Sequence, residues 1–117
     1  MKKKFSFLTI AIFIFFINSL MTFSERVINN LGQLEERNGK TYIRGEKEAF
    51  TGTLNVYRDG NWLFSEVPFK NGLRDGVQKV YHKNGVLKVE MTLKDERPIG
   101  DILIYDEKGK LIGKERY

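Results

Sequence analysis

Cysteine is absent from this 117-residue chain and histidine occurs once, at His82. Without thiols there is no disulfide framework, no thiolate metal site and no cysteine to carry a lipid. His82 follows Tyr81 at a turn position, where a solvated side chain is expected. A metal site needs several converging ligands and a general base needs a positioned partner. No Cys-His or Ser-His-Asp set can be assembled. A basic domain is missing as well. The formal charge is +5, from 20 Lys and Arg against 15 Asp and Glu. Three of those lysines are Lys2, Lys3 and Lys4, so outside residues 1–24 the balance is 17 against 15, or +2. A nucleic-acid footprint is therefore not expected. No Gly-rich phosphate loop and no kinase motif set occurs.

What is present begins with an apolar leader. Met1–Lys4 is positive, Phe5–Ile17 is apolar apart from Ser6 and Thr9, and Asn18, Ser19, Thr22 and Ser24 form a more polar end. This is the layout of a secretory signal peptide, with Thr22 and Ser24 at the small-residue positions before a cut after Ser24. Residues 5–23 are also long enough to remain as an uncleaved membrane anchor. Either way the rest of the chain is expected outside the cytoplasm, as a periplasmic, secreted or surface protein or one held at the inner membrane.

Residues 25–49 form a lead-in. Val27, Ile28, Leu31 and Leu34 have helix-like spacing, weakened by Asn29-Asn30 and Gly32, so a short helix or a linker is expected. A hairpin follows, Leu34–Arg37 and Lys40–Arg44 around Asn38-Gly39, because both central residues of its tight turn need positive φ. Gly45–Ala49 reads as a connecting loop.

From residue 50 the chain repeats. Gly52, Gly76 and Gly100 are 24 apart, as are Tyr57, Tyr81 and Tyr105, then Leu63, Leu87 and Leu111. Phe69, Leu93 and Tyr117 continue the pattern. A period of this size marks stacked copies of one supersecondary unit, with units at 50–75, 76–99 and 100–117. Each reads as a β-hairpin whose turn carries Gly85 or Gly109. In the first unit Gly60 comes one residue early, and a slip there would swap faces along the return strand unless a bulge absorbs it. The fold class is all-β, a single-layer antiparallel sheet of stacked hairpins behind an N-terminal apolar helix.

Period-2 counting puts Leu63, Val67 and Phe69 on one face with Leu87, Val89, Met91 and Leu93, and the three tyrosines with them. Leu54, Val56 and Val80 fall on the second face with Trp62, Phe64, Ile102 and Ile104. One layer cannot bury both faces. Either the chain's own lead-in and loops or a partner covers the second, so Trp62, Phe64, Ile102 and Ile104 are the candidate partner surface. Glu66 and Glu90 read as a solvated polar row, and Asp59, Asp75 and Asp95 as turn residues without calcium-loop spacing.

The units D-G-V-Q-K-V-Y-H-K-N-G-V-L (75–87) and I-G-D-I-L-I-Y-D-E-K-G-K-L (99–111) resemble the MORN repeat variant. The lead-in R-N-G-K-T-Y (37–42) with F-T-G (50–52) is similar to the YwqK-family antitoxins. The resemblance implies a hairpin-by-hairpin sheet, Tyr and Leu packing between units, and no catalytic residues or cofactor. The function expected is a non-enzymatic exported or tethered interaction module that binds a protein or envelope component. The alternative is a toxin-neutralising protein.

Overall fold

The computed structural model describes residues 26–117. The signal or anchor segment, residues 1–24, lies outside them. The elements are β1 (Arg26–Ile28), a 3-10 turn (Leu31–Gln33), β2 (Leu34–Arg37), β3 (Lys40–Ile43), β4 (Gly52–Arg58) and β5 (Trp62–Lys70). They continue as β6 (Leu73–Arg74), β7 (Gly76–Tyr81), β8 (Leu87–Lys94), β9 (Arg97–Tyr105) and β10 (Leu111–Arg116). One sheet runs β1-β4-β5-β7-β8-β9-β10 with β6 on β5, and β2-β3 form a separate ribbon. Every pairing is antiparallel except β1 with β4. The helix-like spacing of residues 27–34 is thus overruled: Val27 and Ile28 pair with Thr53 and Leu54 instead. The turn after them is started by Asn30, whose side chain accepts the Gly32 N–H at 2.9 Å.

Turn chemistry sets the local folding. Asn38-Gly39 takes φ 53° and 79°, so the expected β2–β3 hairpin forms in the paired-positive geometry that suits the strands' twist. Three array hairpins close over three-residue loops. The N–H of Asn61, Gly85 and Gly109 bonds the carbonyl of Arg58, His82 and Asp106 at 2.8, 2.9 and 3.0 Å. Asn61, Gly85 and Gly109 have φ of 66°, 89° and 88°. Asn61 therefore fills the left-handed slot that glycine fills in the other units, and the early Gly60 causes no slip.

A bulge recurs in each unit. Tyr57, Tyr81 and Tyr105 lie opposite Leu63, Leu87 and Leu111, while Val56, Val80 and Ile104 lie opposite Ser65, Val89 and Gly113. Phe64, Lys88 and Ile112 are the extra residues, again 24 apart. Period-2 counting fails across this point, because an extra residue reverses which side the later residues occupy. The face assignment is corrected accordingly. The tyrosines and Leu63, Leu87 and Leu111 share one face, here the tyrosine face, and Glu66 and Glu90 are on it. Val67, Phe69, Val89, Met91 and Leu93 belong to the opposite, apolar face with Leu54, Val56 and Val80.

Among the described residues that apolar face is capped at one end only. Leu34 of β2 packs with Phe50, Leu54 and Val67 in a buried cluster, flanked by Ile28, Ile43, Val56 and Phe69. Backbone bonds fix the cap: Thr41 N–H to Gly72 O at 2.8 Å, Phe50 N–H to Thr41 O at 2.9 Å, and Gly72 N–H to Phe50 O at 2.8 Å. Buried apolar area, at roughly 25 cal/mol per Å², is concentrated there.

Candidate functional site

Beyond the cap the apolar face continues uncovered by the lead-in. One row crosses the sheet through Val56, Ser65, Val80, Val89, Ile104 and Gly113, each opposite the next. Side chains directly opposite across a strand pair share a face and touch. Val80, Val89, Met91, Ile102 and Ile104 are half-buried. In the neighbouring row, opposite Met91, the Gln78 Oε1 is buried without a hydrogen-bond partner among the described residues.

The four candidate partner residues all lie on this face, in two pairs. Trp62 and Phe64 meet edge to face with ring centroids 5.8 Å apart, and the Arg58 guanidinium sits 3.6 Å from the Phe64 centroid. This aromatic and cationic group exists because Phe64 is the bulge residue and turns to the same side as Trp62. Ile102 and Ile104 stand three strands along, with β7 and β8 between. Val80 and Val89 lie between the two pairs, in the row that runs from Ser65, next to Phe64, to Ile104.

The tyrosine face carries its own contacts. Tyr81 donates its hydroxyl to Glu66 Oε1 at 2.5 Å. Burial, that bond and the charges of Glu66 and Glu90 push its phenol up to about 12. Glu66 is thus a partner of the next unit's tyrosine and not part of a solvated row. A cleft of about 380 Å³ beside it is lined by Thr53, Glu66, Pro68, Asp75, Val77 and Lys79. Its two carboxylates are engaged: Glu66 with Tyr81, and Asp75 Oδ2 with the Asp95 N–H at 3.3 Å. His82 is also not merely solvated. Its half-buried Nε2–H donates to the Tyr105 carbonyl at 2.9 Å, while Asn84 Nδ2 donates to Glu107 O at 2.9 Å, so the second turn holds the third.

A second set of links joins the units at their other end, and sequence reading overlooked it. Gly72 N–H bonds Phe50 O at 2.8 Å, and 24 residues on Glu96 N–H bonds Arg74 O at 2.9 Å. Likewise the Thr51 hydroxyl accepts the Asn71 N–H at 2.9 Å, and Asp75 accepts the Asp95 N–H in the equivalent place. The turns Asn71-Gly72 and Asp95-Glu96 have φ of 51°, 81°, 47° and 74°. Asn71-Gly72 was a readable hairpin signal; Asp95-Glu96 was not, since neither residue favours that geometry. Glu96 compensates by gripping Arg74, with Oε1 accepting the Arg74 N–H at 2.6 Å and Oε2 the Nε–H at 2.9 Å. Partial burial alone would raise its carboxyl, but those bonds and the guanidinium charge hold it below its ordinary value.

One complete unit lies between Arg74, which the Glu96 turn grips, and Asp95 in that turn. Residues 74–95 match the MORN repeat variant family. Such a repeat suggests a protein-interaction module, and the stretches 50–73 and 98–117 on either side repeat its turn and bulge geometry. No curated protein and no solved structure matches the chain. Among the described residues no group of three or more His, Asp or Glu is placed to hold a metal ion. No described helix is long and apolar enough to cross a membrane.

Proposed function

We propose that this chain is a non-enzymatic interaction module that presents the apolar face of its repeat sheet to a protein or envelope component. The observation that carries this reading is the half-buried surface from Trp62 and Phe64 through Val80 and Val89 to Ile104, which no described residue of the lead-in covers beyond the Leu34 cap. A contiguous apolar patch marks an interaction site. The aromatic pair under Arg58 supplies the residue types that dominate binding energy at interfaces. The apolar leader supports placing the module outside the cytoplasm, free or tethered, and N-terminal sequencing of the native protein tests that placement. A single toxin polypeptide is the narrower form of the same reading, motivated by the R-N-G-K-T-Y lead-in. One stoichiometric partner in the captured material would select it.

The test uses the full chain to capture partners from envelope extracts, alongside its Trp62→Ser variant. Loss of capture with an unchanged melting curve is the expected result. Capture unaffected by Trp62→Ser and by Ile104→Ser overturns the reading. A reproducible turnover in a broad hydrolase screen, removed by a point variant, overturns its non-enzymatic part.

A further inference from the structure

Among the described residues, the two edges of the sheet have complementary positions without a strand partner. Inside the array, units join through the same columns each time. Ser65 and Glu66 of β5 pair with Val80 and Lys79 of β7, and Val89 and Glu90 of β8 pair with Ile104 and Leu103 of β9. Advancing one more period puts Gly113 and Lys114 of β10 in the receiving columns. Those residues pair with β9 alone, so their outer edge is unfilled among the described residues. At the far end the entering columns are Asn55 and Val56 of β4. There β1 pairs only with Gly52, Thr53 and Leu54; beyond it the Asn29 side chain accepts the Asn55 Nδ2–H at 3.2 Å, while the backbone of Asn55 and Val56 has no second strand partner among the described residues.

Exposure follows the same logic. Within the tyrosine and leucine columns only the outermost members are exposed, Tyr57 at 42% and Leu111 at 49%. Tyr81, Tyr105, Leu63 and Leu87 are half-buried because a neighbouring unit covers them. Joining the two ends would give Tyr57 and Leu111 the neighbour that every inner copy already has. The internal β5–β7 joint has only two register pairs, Ser65 with Val80 and Glu66 with Lys79, so so short a joint is one this fold already uses.

We infer that a second copy of this chain adds head to tail, its Val56 and Asn55 pairing antiparallel with Gly113 and Lys114 of the first. The occupant is a copy of this chain because the columns, the register and the two exposed residues are set by its own period. Such a contact is heterologous and does not close on itself, so it yields open linear oligomers. Lys114 and Arg116 do not block it: both hold Asp101 on the tyrosine face at 3.4 Å, leaving the backbone edge bare. This association uses the sheet's edges and is independent of partner binding on the apolar face.

The absence of native cysteine makes a clean test. Asn55 and Lys114 would be opposite each other across the new joint, on the polar tyrosine face. Within one chain they are five strand spacings apart, about 24 Å, too far for an internal disulfide. The full chain carrying Asn55→Cys and Lys114→Cys should give a ladder of cross-linked species on mild oxidation. The two single variants should cross-link only when mixed. Dimers from Lys114→Cys alone would mean symmetric edge pairing and overturn the inference. So would a double variant that stays monomeric, or equal cross-linking through Lys108→Cys at a hairpin tip. As a check without cysteine, light scattering of the full chain in detergent should show mass rising with concentration. Leu111→Asp should abolish that rise, and a mass independent of concentration would also overturn the inference.

Discussion

Replacing the glycines of one repeat column by alanine should give three different results, although the sequence treats them alike. Gly52, Gly76 and Gly100 have φ of 154°, 114° and 71°, all in territory that side chains disfavour. Their surroundings differ. A Cβ on Gly100 would meet nothing within 4 Å, so Gly100→Ala should cost only the backbone term, about 1–2 kcal/mol. A Cβ on Gly76 would lie 3.3 Å from two carbons of Pro68, adding a mild squeeze, for about 1–3 kcal/mol in all. On Gly52 it would lie 2.2 Å from the Arg26 carbonyl oxygen and 3.0 Å from the Phe50 ring. Backbone cannot give way there without parting β1 from β4, so Gly52→Ala should cost on the order of 3–5 kcal/mol. At about 4–8 °C per kcal/mol for a domain of this size, circular-dichroism melts resolve the order. Amide exchange should further show lost protection at Val27 and Ile28 in Gly52→Ala alone. Equal losses at the three sites, or the largest loss at Gly100, would refute the idea that close approach and not the repeat itself fixes the cost.

Glu96→Gln keeps an acceptor for the Arg74 N–H but removes the charge, and should cost about 0.5–1 kcal/mol at neutral pH because the pair is more than a third exposed and solvent screens it. The Glu96 carboxyl is lowered in the folded chain, so its contribution is full above its ordinary 4.5 and is lost as pH falls through the folded value. Melts from pH 7 to pH 3 should show the variant losing less stability than the parent across that acid window; parallel curves would contradict the clamp. Tyr81 behaves oppositely. Its folded pKa, about 12, exceeds the ordinary 10.0, so the stability it confers is intact below pH 10 and disappears as pH rises through 12. Ultraviolet titration should contain a component near about 12 that Tyr81→Phe removes, and its persistence in that variant would reassign the shift. Leu93→Ala, at a side chain only 2% exposed, should cost about 2–5 kcal/mol by cavity formation; a loss under about 1 kcal/mol would show that the site collapses freely.

The sequence by itself determined the repeat and its unit. Turn chemistry is local, so Asn38-Gly39 placed a hairpin and the 24-residue columns placed Tyr57, Tyr81 and Tyr105 opposite Leu63, Leu87 and Leu111. The faces were another matter. A single extra residue at Phe64, Lys88 and Ile112 reverses the alternation, and nothing in those three side chains announces a bulge; only the pairing partner reveals which residue is left over. Asn61 holding a glycine's place, Glu96 gripping Arg74, and Leu34 closing one end of the apolar face all depend on residues distant in the chain. Burial and hydrogen bonding between such residues are properties of the assembled sheet. Tertiary structure alone therefore decided which apolar residues became core and which were left at the surface.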